Sequence, residues 1–507
     1  MQCPKCGTEN PDDAQVCTSC SSTLTGLPKE QPPLKSKTSL LAIGSALLSG
    51  LSAALLFLVN PTLAFFVSLL ALFSAFSSIR SIKKSNRKLI GKKFAIGALI
   101  LSLVQMVLLS YWRIDAPPIP NDYTIADLRS APTECAPSYE LLMSLSEEQE
   151  CPPDAPKIGL SAQDVNTIEQ VNEVIKESDY SKIADALKEK ADDIEQAWKN
   201  GQKGRDIISE LNTFPEIADL TEPNLDTNIG FLRNLRHLAR LYQAYVYLQT
   251  EQGNEKIAVE ELSKLENFFR KLNSNARSMI TKLVCIACFR VNIKTANFVI
   301  NNPQISQESL GLLAEHFVPL TNEQISLRNS FISEYLMFKN ELSKILRDSS
   351  LKYSAFSPLK LNSSLRVYKN FCDRWIASEE NRQEIEKLTV WPALYPQLPV
   401  TMDIDYDFPW YYKAYNPVGY ALLRILTPAL DRVSKIKTNT QIQDDLLQIV
   451  LNKRLGNEVS LKARAYSDEY IIDTEKKRIF SPGPDGKADT KDDIKLTINP
   501  EVLNLTD

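Results

Sequence analysis

Three apolar runs, 40–59, 61–79 and 94–112, constrain this chain more than any other feature. Each is on the order of 20 residues, nearly free of charge and rich in Leu, Ala, Phe and Ile, which is the length and chemistry a helix needs to cross a bilayer. Three transmembrane helices are expected. Asn60-Pro61 breaks the first two into a tight hairpin, because proline has no N–H with which to continue a helix. Between the second and third runs lie Arg80, Lys83, Lys84, Arg87, Lys88, Lys92 and Lys93, with no acidic residue among them. Such an excess of positive charge places the loop in the cytoplasm. Counted from there, the N-terminus is cytoplasmic and everything after Trp112 is on the other side, with Tyr111, Trp112 and Arg113 as interfacial anchors. Confined between apolar runs, the basic residues are better explained by topology and anionic lipid than by nucleic acid. The lipid bilayer is therefore an expected partner and nucleic acid is not. The first run follows a cysteine-bearing segment and precedes two more runs, so it is not read as a cleaved leader.

Four of the nine cysteines fall in the first twenty residues, as the pairs Cys3-Pro-Lys-Cys6 and Cys17-Thr-Ser-Cys20. Two Cys-x-x-Cys pairs can set four thiolates at the corners of a tetrahedron, a donor set that suits zinc, and four protein ligands leave no open position for catalysis. The other reading is two redox-active or disulfide-bonded pairs. Gly7 permits the tight turn after the first pair. A segment this short has no core, so metal binding would supply its folding energy. The run CPKCGTENPDDAQVCTSC resembles the zinc ribbons at the N-termini of many prokaryotic membrane proteins, departing from them at Ser21, where glycine is common. SIRSIKKSNRKLIGKKFAIGALILSLVQMVLL is similar to a recurrent bacterial membrane module that often follows such a ribbon. That resemblance implies an anchor in the bacterial inner membrane, and nothing chemical.

Residues 114–160 are rich in proline, which forbids long helices and favours an extended, stiff spacer. Within it Cys135 and Cys151 could form a disulfide in an oxidising compartment, worth about 3 kcal/mol by chain entropy, or remain two unpaired thiols. From Ser161 the pattern is helical. Ser161-Ala-Gln-Asp164 has the form of a capping box, and Val165, Ile168, Val171 and Ile175 recur at helical spacing behind it. Ile183 to Trp198 forms a second stripe, and Thr321-Asn-Glu-Gln324 opens a long third one. Leu238 to Leu262 is similar to one tetratricopeptide repeat, but no second copy follows at a regular interval. Cys285-Ile-Ala-Cys288 has redox-pair spacing inside an apolar helical run, where buried core thiols are the expectation. With only His237 and His316 in the chain, schemes built on a histidine cluster have no material.

The last hundred residues differ. Asp403, Asp405 and Asp407 alternate beside Trp410, Tyr411 and Tyr412, so an extended segment would set three carboxylates on one face, either as acid and base for a glycan or peptide hydrolase or as solvated groups of an ordered loop. Helices are expected from Val418 to about Lys435 and from Gln441 to about Arg454. A hairpin of Tyr470–Ile472 with Arg478–Phe480 then leads through a Gly- and Asp-rich loop to Ile494–Ile498. Asp485, Asp489, Asp492 and Asp493 could converge on calcium or simply cap a small sheet. This ending resembles the C-terminal loop of the major pseudopilins of type II secretion, where a similar run can hold calcium.

The expected fold class is mainly α: a zinc ribbon over 1–26, a transmembrane region over 27–113, a Pro-rich linker over 114–160, a helical domain over 161–400 and a C-terminal segment with a small β element over 401–507. The helical domain is an all-α bundle or irregular solenoid lying outside the cytoplasm. A binding or scaffolding protein of the bacterial cell envelope is expected, with zinc as structural cofactor, calcium as a further candidate, protein partners on one or both sides of the membrane and no assigned catalytic residue. The alternatives are an envelope hydrolase working through the aspartates at 403, 405 and 407, and a transmembrane sensor.

Overall fold

A computed structural model describes residues 1–24, 37–58, 61–85, 89–113, 115–146, 158–177, 180–348, 359–379 and 415–503. Cys151, Asp403, Asp405, Asp407 and the aromatic residues 410–412 lie outside these. The chain forms two compact units, Met1–Ile114 and Asp115–Asp507, and is mainly helical.

The first unit holds the ribbon and three helices, α1 (Leu40–Leu58), α2 (Pro61–Lys84) and α3 (Lys92–Arg113). α2 starts at the proline that ends the first apolar run. Two short strands, β1 (Lys37–Thr38) and β2 (Leu89–Ile90), pair in parallel and tie the start of α1 to the basic loop between α2 and α3. The polarity of the three-helix unit is inverted relative to a protein folded in water. Ser45, Ser49, Ser52, Ser68, Ser102 and Gln105 are buried where the helices meet, whereas Leu40 is 84% exposed, Val107 67% and Phe73 61%. Small side chains, Ala64, Ala71, Ala75 and Ala98, let the backbones approach. The buried polar groups satisfy one another across the helices: Ser49 Oγ lies 2.9 Å from Ser102 Oγ, Gln105 Nε2 donates to Ser49 O at 3.0 Å, and Ser68 Oγ donates to Gln105 Oε1 at 3.1 Å. Among the described residues, Ala64–Lys84 and Met279–Ile300 are long and apolar enough to cross a membrane, and Leu40–Ala53 is apolar over a shorter length. Met279–Ile300 is mostly buried inside the second unit, as a core helix is.

The second unit is built on four long helices: α9 (Phe231–Glu251), α10 (Glu255–Asn275), α11 (Met279–Ile300) and α16 (Pro417–Arg454). Their inner faces form one core through Val246, Leu262, Ile293, Val299, Leu446 and Val450. α5 (Ala162–Glu177), α6 (Tyr180–Glu189) and α7 (Ala191–Asn200) lay Val171, Ile183, Leu187 and Ile194 against Ala244 and Leu248 of α9. The short helices α4 (Ala136–Met143), α8 (Gln202–Leu211), α12 (Gln307–His316) and α13 (Asn322–Ile325) fill the periphery, and α14 (Arg328–Asp348) packs on α15 (Leu361–Glu379). An antiparallel sheet of β3 (Ile471–Asp473), β4 (Arg478–Ser481) and β5 (Ile494–Thr497), in that order, buries Ile479, Ile494 and Leu496 in the same core.

The capping box at Ser161 forms, with Ser161 N donating to Asp164 Oδ2 at 2.7 Å and Asp164 N to Ser161 Oγ at 3.1 Å, and α5 starts at the next residue. Thr321 and Gln324 form the second box, but it opens only the four-residue α13, because the chain turns extended at Ser326 before α14. The stripe from Ile183 to Trp198 is split at Lys190 into α6 and α7. The two helices expected after Val418 are one helix of 38 residues. Its polar middle does not break it, since Thr438 and Thr440 return their hydroxyls to the carbonyls of Ser434 and Ile436.

The largest departure concerns the linker. Its described part, 115–146, is not a free spacer but a strap, bound to α14 and α15 through its first half and to α8 and α9 through α4 and the residues after it. Leu128, Cys135, Leu142 and Leu145 are buried. Asp122 accepts hydrogen bonds from Tyr335 Oη and Lys339 Nζ, both at 2.6 Å, Tyr123 Oη donates to Asp373, and Arg129 N donates to Asn329 Oδ1 at 2.9 Å. Proline excludes long helix from such a segment, but it does not stop the residues between prolines from finding partners.

Candidate metal centre

The sulfurs of Cys3, Cys6, Cys17 and Cys20 lie within 4.8 Å of one another. Two copies of one local turn bring them there. In the first, Gly7 N donates to Cys3 O at 2.8 Å and Cys3 N to Thr8 O at 2.9 Å. In the second, Ser21 N donates to Cys17 O at 3.0 Å and Cys17 N to Ser22 O at 2.9 Å. Each turn folds its Cys-x-x-Cys pair so that both thiols point the same way, and the two turns face each other. Cys3 Sγ is 3.6 Å from Cys20 Sγ and Cys6 Sγ is 3.5 Å from Cys17 Sγ. Both leading cysteines, Cys3 and Cys17, are 2% exposed.

A shell of outer partners surrounds the sulfurs. Thr8 Oγ1 lies 3.3 Å from Cys6 Sγ, and Ser22 Oγ lies 2.9 Å from Cys20 Sγ and 3.3 Å from Cys3 Sγ. Asn10 holds the halves together: its Nδ2 donates to Thr8 O at 2.8 Å and to Cys17 Sγ at 3.5 Å, while its Oδ1 accepts from Thr18 N at 2.9 Å. Hydrogen bonds, first from the Ser22 hydroxyl and then from backbone N–H groups, lower the Cys3 pKa to about 6, which favours the thiolate that a metal takes, while the neighbouring sulfurs of Cys20 and Cys17 raise that of Cys6. The sequence pattern identifies the four ligands but not Thr8, Ser22 and Asn10. A signal was present, because Thr8 and Ser22 stand at equal offsets from Cys3 and Cys17. Four sulfurs, closed and hydrogen-bonded from outside, form a structural zinc site by the chemistry of the donor set.

The C-terminal aspartates behave otherwise. Asp489 and Asp493 turn to the Arg478 guanidinium, which Asp473 also meets at 3.3 Å, and Asp489 further accepts from Lys476 Nζ at 2.7 Å. Asp485 and Asp492 bind the turn itself, through Lys487 N at 2.8 Å and Thr490 Oγ1 at 2.6 Å. Among the described residues only the four cysteines come together as a metal-holding group. Nothing in this arrangement supports the calcium expectation: Asp489 and Asp493 pair with Arg478, and Asp485 and Asp492 turn to the loop's own groups.

Cys135 is buried and its expected partner Cys151 lies outside the described residues. Cys285 and Cys288 are buried in α11, and burial raises both thiols, Cys288 to about 12, which leaves them inert core residues. Burial lowers His237, with Arg233 and Arg240 adding to the effect.

Residues 2–24 match the zinc-ribbon domain family. No curated protein and no solved structure matches the chain.

Proposed function

We propose that the protein is a membrane-anchored binding or scaffolding protein of the bacterial cell envelope, with the zinc ribbon in the cytoplasm and the helical domain on the opposite side. The observation that carries this reading is the inverted polarity of α1, α2 and α3. In water, a bundle exposing Leu40, Val107, Phe73 and Phe94 while burying these five serines and a glutamine would be costly, whereas in hydrocarbon that arrangement is favourable. The orientation rests on the basic residues between α2 and α3, and on the β1–β2 pairing that holds the start of α1 at the same end of the bundle. Zinc is a structural cofactor in this reading. Calcium has no part in it, since two of the four aspartates, Asp489 and Asp493, pair with Arg478 and the four do not gather as a group among the described residues.

Fusion of alkaline phosphatase, which is active only outside the cytoplasm, tests the topology. Expected is activity for a fusion after Asn121 and none after Asn86, with the intact chain resisting carbonate extraction from membranes. The reverse pattern, or release by carbonate, would overturn the reading.

A further inference from the structure

A cavity of 310 Å³ opens between the C-terminal end of α5, the start of α6, one face of α11 and the edge of β4 and β5. Six cations line it, Lys176, Lys294, Lys476, Lys477, Arg478 and Lys495, and no carboxylate does among the described residues. Three have acidic partners outside the lining: Arg478 meets Asp473, Asp489 and Asp493, Lys476 meets Asp489, and Lys176 meets Glu173. Lys294, Lys477 and Lys495 make no ion pair among the described residues, so the cavity has a surplus of positive charge. At Lys294 burial, and after it the neighbouring charges of Arg290 and Lys176, act to lower the pKa. An anion placed there would relieve this repulsion.

Apolar side chains share the lining. Tyr247 and Phe298 stack with ring centroids 3.8 Å apart at 14°, and Ile183 and Leu496 complete the surface. The floor is rigid, because Asn297 Nδ2 donates to Thr497 O at 2.8 Å and Asn301 Oδ1 accepts from Asn499 N at 2.7 Å, fixing α11 to β5 and the residues after it. A cavity lined by both cations and aromatic rings takes a small molecule with two matching parts. We infer that this cavity binds a small anionic ligand, a phosphate or carboxylate group joined to a flat apolar body. The ammonium groups of Lys294, Lys477 and Lys495 would meet the anion while the body lies against Tyr247 and Phe298. This inference stands independently of the membrane topology.

The test is titration calorimetry on the full chain in detergent, with phenyl phosphate, benzoate, inorganic phosphate and phenol as probes. Phenyl phosphate or benzoate is expected to bind more tightly than inorganic phosphate, with phenol silent and affinity falling as salt rises. The double variant Lys294→Gln/Lys495→Gln should weaken binding by about ten-fold or more at unchanged Tm, while Lys203→Gln on α8, outside the cavity, should not. If the double variant loses thermal stability, Lys477→Gln alone replaces it, with at least a several-fold loss expected. Binding that is absent for both anions, equal to that of phenol, or indifferent to the lysine substitutions overturns the inference.

Discussion

Gly7 and Ser21 hold equivalent places in the two halves of the ribbon. Each lies four residues after the leading cysteine of its pair, each donates its N–H to that cysteine's carbonyl, and each has a positive φ, 78° for Gly7 and 55° for Ser21. Glycine adopts that backbone freely, whereas a residue with a side chain gives up about 1 kcal/mol there.

Ser21→Gly is therefore expected to raise the zinc affinity of the ribbon by about five-fold, and Gly7→Ala to lower it by a similar factor. Competition with a chromogenic chelator measures both. Unchanged affinity in the two variants would show that turn strain is not coupled to metal binding.

Within the helical bundle of the first unit, Gln105 joins α1 to α2 through Ser49 O and Ser68 Oγ. Gln105→Leu removes both hydrogen bonds and leaves the Ser68 hydroxyl without that acceptor, at a cost of about 1 kcal/mol. A fall of a few degrees in the unfolding midpoint in detergent is expected, against little change for Phe73→Leu on the exposed face. Equal effects of the two substitutions would contradict the inverted packing.

The strap over 115–146 makes a further prediction. Asp115 accepts the N–H groups of Asn362 at 2.8 Å and Ser363 at 3.1 Å, capping α15 from far away in sequence. Asp115→Ala should destabilise the second unit by about 1 kcal/mol. A fragment starting at residue 115 should unfold cooperatively, and one starting at 158, which lacks the buried side chains of the strap, at a markedly lower temperature. Identical midpoints for the two fragments would show the strap to be dispensable.

Two buried carboxyls predict a pH dependence. Burial pushes Asp444 up to about 7, although Leu320 N donates to it, and pushes Glu334 up to about 7 as well. Unfolded carboxyls titrate near 4, so between about pH 4 and 7 the folded chain retains protons that the unfolded chain releases. Their contribution to stability is complete below about pH 4 and fades as the pH rises to 7. These two groups should thus lower the midpoint between about pH 4 and 7, against the opposite effect of the lowered His237, and the midpoint of Asp444→Asn with Glu334→Gln should fall less over that range than that of the wild type. Depressed carboxyls such as Asp489 act only at lower pH, outside this window. A slope unchanged in the double variant would contradict the assignment.

Much of the local structure was legible beforehand. The capping box at Ser161, the three-stranded ending around Arg478 and the inert thiols of α11 all follow from patterns spanning a few residues. Misreadings came where the outcome depended on distant partners. The strap looked like a spacer because Asp115, Asp122 and Tyr123 find their partners more than 200 residues later. In the aspartate loop the relevant partner is close in sequence, Arg478 standing 11 and 15 residues before Asp489 and Asp493, but spacing alone does not give the direction of its side chain.

By itself the sequence determined the four sulfur ligands, the positions of the three N-terminal helices and the mainly helical class. Each of these is set by spacing along the chain: two-residue gaps between cysteines, proline at a helix start, apolar periodicity. Tertiary structure alone decided that serines face inward in the first unit, that the proline-rich segment is a strap, and that three lysines from α11, β5 and the turn before β4 share one cavity. Those outcomes depend on which surfaces meet, and contacts between residues hundreds of positions apart leave no periodic trace in the order of amino acids.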